Sequence, residues 1–123
     1  YAWRALKDAG AILAFGSDAP VESLNPWLSV HAAVTRQKVN GSPNGGWYAS
    51  QRLSVHEALW GFTVGAATAA GAAHEQGTLM PGMLADIAVL AQDPFKIDPT
   101  ALHALQVDMT ILEGQVVWER RGA

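Results

Sequence analysis

The chain has 123 residues, half of them apolar and 15% charged, with a formal net charge of −3 and no cysteine. That length allows one domain with a modest core, and the apolar fraction excludes a disordered chain. The negative balance argues against a nucleic-acid partner, Arg120-Arg121 being the one basic cluster, and the missing thiols exclude disulfides and thiolate metal sites.

No apolar run approaches the ~20 residues that span a bilayer, so no membrane partner is expected. Sparse charge beside five Trp points to surface that something else covers. The lack of disulfides fits a reducing, cytoplasmic setting.

Tyr1–Asp8 reads as a helix with Ala2, Ala5, Leu6 and Ala9 on one stripe. It starts without Met or an N-cap residue, so the expectation is a chain that begins in mid-element. Gly10 closes the helix. Ala11–Phe15 is apolar throughout, which predicts a strand buried on both faces, as in a parallel sheet. Helix, glycine and strand together make the second half of a β-α-β unit. The run ends in Gly16-Ser17-Asp18, and Pro20 stops it. Asp18 then stands at a strand's C-terminal end, where α/β folds and barrels place ligands. A carboxylate there can bind a hard or borderline metal and take a proton from bound water. The competing reading is a loop Asp capping the turn before Pro20.

Asn25-Pro26 predicts an N-cap and first helical residue, with the helix running to about Val39. Trp27, Val30 and Val34 line one side, with Leu28, Ala32 and Thr35 beside them. His31 lies one turn into this helix and could overlook a site next to Asp18. A helix-face histidine at an interface is the plainer alternative. Gly41–Gly46, G-S-P-N-G-G, is a loop long enough to be a functional flap or simply mobile. Ser54-Val55-His56-Glu57 is a capping box, and its helix reaches about Ala70 before Gly71. The stripe is Val55, Leu59, Phe62, Ala66 and Ala70. Its many Ala and Gly residues predict close approach to another element.

After Gly77 the pattern changes to strands, and residues 72–77 are the candidate domain boundary. Pro81-Gly82 fits a type II turn. Asp86–Leu90 reads as a strand and Asp93-Pro94 as a turn. Asp98-Pro99 caps a short helix through Leu105. Val107–Leu112 and Gln115–Trp118 make a hairpin around Glu113-Gly114.

Other chemistry finds little support. His31, His56, His74 and His103 show no metal-binding spacing. No phosphate loop occurs, and Ser17 lacks both a neighbouring base and a G-x-S-x-G frame. Glu22 reads as solvated, and Asp86 as a structural turn or cap.

G-S-D-A-P-V followed by N-P-W-L-S-V-H-A-A-V-T-R resembles the end of the metal-dependent amidohydrolase superfamily, within it the amidohydrolase family 3 (YtcJ-like) group. Q-R-L-S-V-H-E-A-L, G-T-L-M-P-G-M-L-A-D-I-A-V-L and D-M-T-I-L-E-G-Q-V-V-W follow in the group's order. The chain departs from the group at Gly65, where Asn is frequent, and at Met83, where Lys is.

The resemblance implies an α/β fold and a C-terminal fragment of a longer enzyme. Residues 1–72 would be the end of a (β/α)8 TIM barrel, with Ala11–Phe15 as its eighth strand. Residues 73–123 would be the C-terminal part of a small β-sandwich. Asp18 would be the last-strand aspartate, both metal ligand and general base, with the other ligands upstream of Tyr1 and zinc as the metal. The implied reaction is hydrolysis of an amide-type, non-peptide C–N bond in a small molecule. Trp27 and His31 are candidates for one wall of the substrate site, from position alone. The isolated fragment is expected to be inactive, and to form a homo-oligomer or pack poorly. The alternative is a non-catalytic binding or structural module derived from the same fold.

Overall fold

A computed structural model describes residues 1–122. Helix α1 (Trp3–Asp8) ends at Gly10, whose φ of +89° lies where a Cβ is costly. Gly10 N–H donates to Lys7 O at 2.9 Å and Ala11 N–H to Leu6 O at 3.0 Å, which closes the helix and turns the chain out.

The next segment corrects the sequence reading. Ala11–Phe15 is not part of any sheet among the described residues. Leu13, Phe15 and Ser17 are half-buried, whereas Ile12, Ala14, Gly16 and Asp18 are exposed. This period of two is that of an extended chain with one covered face. The covered face meets helices, and the other meets solvent. An unbroken apolar run shows that both faces suit burial, not that both are covered.

Helix α2 (Pro26–Thr35) starts where predicted, with Asn25 Oδ1 accepting Trp27 N–H at 3.0 Å. It ends at Thr35, short of Val39. Arg36 turns left-handed at φ +60°, and Thr35 Oγ1 accepts Gln37 N–H at 3.1 Å, drawing the chain off the helix axis. The Gly41–Gly46 loop is pinned. Gln37 Nε2 donates to Gly41 O and Pro43 O at 2.8 and 3.0 Å, and Arg52 Nη2 donates to Gly45 O at 2.7 Å.

Ser54 and Glu57 form both bonds of the capping box that starts α3 (Val55–Trp60). The helix continues through a π turn, Gly61–Gly65, into α4 (Ala66–Ala69). The wider turn rotates the buried face onto Ala58, Gly61, Gly65 and Ala67, and leaves Ala70 exposed. Of the predicted stripe, Val55, Leu59, Phe62 and Ala66 are therefore half-buried beside that face and only Ala70 is exposed. The predicted close approach is to the Leu13–Phe15 segment.

In the second half, Met83 N–H donates to Met80 O at 3.1 Å across Pro81-Gly82, as the predicted turn requires. Strands β1 (Ile87–Leu90), β2 (Val107–Leu112) and β3 (Gln115–Glu119) form an antiparallel sheet in that order. Ile87 faces Ile111, and Met109 faces Glu119. Glu113 and Gly114, at φ +49° and +79°, make the two-residue hairpin turn. Asp86 has the expected structural role, its Oδ1 accepting Glu113 N–H at 2.8 Å.

Asp98 caps the helix between β1 and β2 by accepting Thr100 N–H at 2.8 Å. That helix is a 3₁₀ helix, Pro99–Ala104. It brings Leu102 and Leu105 into one buried cluster with Trp27, Val30, Ala33, Val34, Leu53 and Ala58. Segments on both sides of residues 72–77 thus contribute to a shared core. No helix among the described residues is long and apolar enough to cross a membrane.

Candidate functional site

Asp18 is exposed and left-handed, at φ +59°. Such backbone is uncommon outside glycine, although Asp is among the residues that tolerate it. A tight turn holds it there. Val21 N–H and Glu22 N–H both donate to Asp18 O, at 2.9 and 3.2 Å. The turn is anchored before and after. Phe15 N–H donates to Gly61 O at 3.0 Å, and Asn25, whose N–H donates to Ser23 Oγ at 3.2 Å, caps α2. Among the described residues, nothing donates a hydrogen bond to the Asp18 carboxylate, so both its oxygens are available to a ligand.

The structure does not gather Trp27 and His31 around that carboxylate. Trp27 is 6% exposed and His31 2%, both in the α2 core face. His31 Nδ1–H donates to Pro99 O at 3.2 Å; a carbonyl only accepts, so the proton is on Nδ1. Nε2 lies 3.4 Å from Thr35 Oγ1, whose hydroxyl donates to His31 O at 2.8 Å. The His103 ring meets His31 edge-on, with centroids 5.1 Å apart. His31 therefore joins α2 to the 3₁₀ helix. One edge of it borders an open depression of about 870 Å³, which Glu22, Ser23, Arg36 and Trp47 also line.

One ionic cluster had no sequence signal. Arg4 forks onto Glu57, with Nη1–Oε1 at 2.9 Å and Nη2–Oε2 at 2.5 Å. Lys7 Nζ adds a contact of 3.2 Å to Oε1. The Arg4 guanidinium, with help from the Ser54 amide and Lys7, holds the Glu57 carboxyl well below the usual carboxylate range. Glu57 in turn raises Arg4. The cluster braces α1 against the start of α3, beside a cavity of about 310 Å³ lined by Ile12, His56 and Trp60.

Among the described residues, no three His, Asp or Glu side chains stand close enough to hold a metal ion. A catalytic zinc takes three protein ligands. Asp18 fits as one oxygen donor; the described residues do not complete the set.

Residues 1–118 match the pattern of the family described as the amidohydrolase family. The chain is similar to YtcJ of Bacillus subtilis (strain 168), whose name assigns it to the amidohydrolases. The two are 37% identical over 120 residues, covering 98% of this chain and 23% of YtcJ. It is similar to the N-substituted formamide deformylase of Arthrobacter pascens, 31% identical over 120 residues, with 98% of this chain and 22% of that protein covered. The crystal structure of an amidohydrolase from Thermotoga maritima MSB8 superposes with a TM-score of 0.71 at 21% identity, covering 95% of this chain and 25% of that one. The last is a likeness of fold. The chain spans about a quarter of the length of these proteins.

Proposed function

Because the chain belongs to the amidohydrolase family, we propose that it forms part of an enzyme that hydrolyses amide-type, non-peptide C–N bonds in small molecules. The observation that carries the reading is Asp18: an exposed carboxylate, free of internal hydrogen bonds, at the end of an extended segment and held in a left-handed turn. The formamide deformylase supports the bond type, since removing a formyl group from a substituted nitrogen cleaves a C–N bond.

In this reading residues 1–72 close a (β/α)8 barrel, with Ala11–Phe15 as its last strand. The exposed face of that segment, and its having no strand partner among the described residues, support the assignment, because a barrel strand needs a neighbouring strand on each edge. Residues 73–123 contribute their three strands to a β-sandwich. Zinc is the proposed metal; Asp18 would hold it together with donors outside the described residues, and it would supply a polarised carbonyl and an acidified water.

Asp18 supplies the proton transfers. Its ionised carboxylate accepts a proton as water adds to the carbonyl carbon. The protonated form returns that proton to the leaving nitrogen, so the C–N bond breaks to give an acid and an amine. Its own backbone oxygen is committed to Val21 and Glu22, which keeps the turn fixed while the side chain works. In the same proposal the His31 edge of the 870 Å³ depression is one wall of the substrate region, while Trp27 is buried on the same helix and does not line that depression.

The test is Asp18→Asn in the intact protein, assayed on N-substituted formamides and related amides. Turnover is expected to fall by about 10²–10⁴-fold, with unchanged circular dichroism. Near-normal turnover would remove Asp18 from the chemistry and favour a binding or structural module.

A further inference from the structure

The segment that carries Asp18 is tied to the rest of the fold by very little backbone. Among the described residues, Phe15 N–H to Gly61 O, at 3.0 Å, is the only backbone hydrogen bond from residues 12–17 to another element. The Gly61 carbonyl also accepts Ala66 N–H, the long-reach bond of the π turn. The widened turn and the extended segment thus meet at one oxygen.

The contact leaves no room for a side chain. A Cβ on Gly61 would stand 2.5 Å from the Phe15 ring. Trp3 and Phe62 flank that ring, at centroid distances of 5.5 and 5.7 Å. A Cβ on Gly65 would run into the Leu13 carbonyl oxygen. The first clash falls on a side chain that can turn. The second falls on backbone, which moves only by carrying its neighbours.

We propose that Gly61 and Gly65 are positioning residues: they set the register and depth of Leu13–Phe15, and so the place of Asp18. The proposal rests on Asp18 being the proton carrier. Extended backbone advances ~3.3 Å per residue, which puts Asp18 within ~10 Å of the Phe15–Gly61 bond. Only Gly16 and Ser17 stand between, so few torsions can absorb a shift. A misplacement of about 1 Å can cost a reaction about a hundredfold.

The experiment compares G65A, G61A and the double variant G61A/F15L in the intact protein, by steady-state kinetics and crystallography. G65A is expected to lower kcat about a hundredfold with KM within about twofold, and to displace Asp18 in the crystal. G61A is expected to lower kcat less. Phe15→Leu removes the ring that meets the new methyl, so it should restore rate to G61A and not to G65A. Wild-type kcat in G65A, or an Asp18 unmoved in its crystal structure, overturns the proposal. If G65A does not fold, G61A decides: wild-type kcat with Asp18 in place overturns the proposal equally. Failure here stays distinct from failure of the hydrolase reading. That reading falls if Asp18→Asn keeps its turnover, whereas the displacement of Asp18 is measured whether or not Asp18 is catalytic.

Discussion

Glu57 serves two segments that lie far apart in sequence. It completes the capping box of α3 and accepts the Arg4 fork from α1. Its folded pKa is lowered, Arg4 being the first cause, so the sign of the pH effect is fixed. The stabilisation is complete above the ordinary value of 4.5 and drains away as pH falls towards the depressed folded value. Glu57→Gln keeps a capping side chain and removes the charge. Its Tm should lie below wild type at pH 7, and the gap should narrow as pH drops below about 4.5. A gap independent of pH would show that the ion pair contributes nothing. Asp18 could be marked as a candidate from G-S-D-A-P, although the same residues also fit a loop Asp capping the turn before Pro20, and only the family resemblance gave it a role. The Arg4–Glu57 brace could not, since ion pairs 53 positions apart leave no local pattern. For His31 the sequence left two readings open. Its partners, Pro99 and Thr35, place it at the junction of α2 and the 3₁₀ helix.

Helix starts were readable because caps are local chemistry: Asn25, Ser54 and Asp98 all cap as predicted. Interiors and ends were less so. The π turn packs against Leu13 and Phe15, which lie more than forty residues earlier in the sequence, so no local pattern announces it. The Pro99–Ala104 helix begins as any Asp-Pro helix does, and the spacing of Leu102 and Leu105 suits the 3₁₀ turn that forms. Leu102 is fully buried against α2. Leu102→Ala should therefore destabilise by about 2–5 kcal/mol, read as a lower urea midpoint at unchanged m-value. A loss below about 1 kcal/mol would mean that the 3₁₀ helix is not part of the core. At the hairpin, Glu113 holds the left-handed backbone that Asn accepts more readily. Glu113→Asn should stabilise by about 0.5 kcal/mol in the same assay, and any destabilisation would contradict the turn assignment.

The chain exposes 8053 Å² of surface. A compact monomer of 13.0 kDa would expose about 6,300 Å². The excess lies partly on residues that favour cover: Ile12 at 60% exposure, Leu24 at 81%, and Val116 and Val117 on the edge strand β3 at 56% each. We propose that another part of the enzyme covers this surface, and that a second copy does so when the chain is alone. Sedimentation of residues 1–123 should show association, or hydrogen exchange should show weak protection over residues 11–24. A stable monomer with strong protection there would contradict this. The Ala11–Phe15 reading shows where sequence stopped. The apolar composition suggested a strand, but among the described residues Ala11–Phe15 pairs with no other strand, and composition carries no information on pairing. The most direct measurement is anomalous scattering at the zinc edge from crystals of the intact protein grown with zinc. The predicted result is a zinc ion within about 2.2 Å of an Asp18 carboxylate oxygen. An active enzyme whose zinc lies away from Asp18 would contradict it.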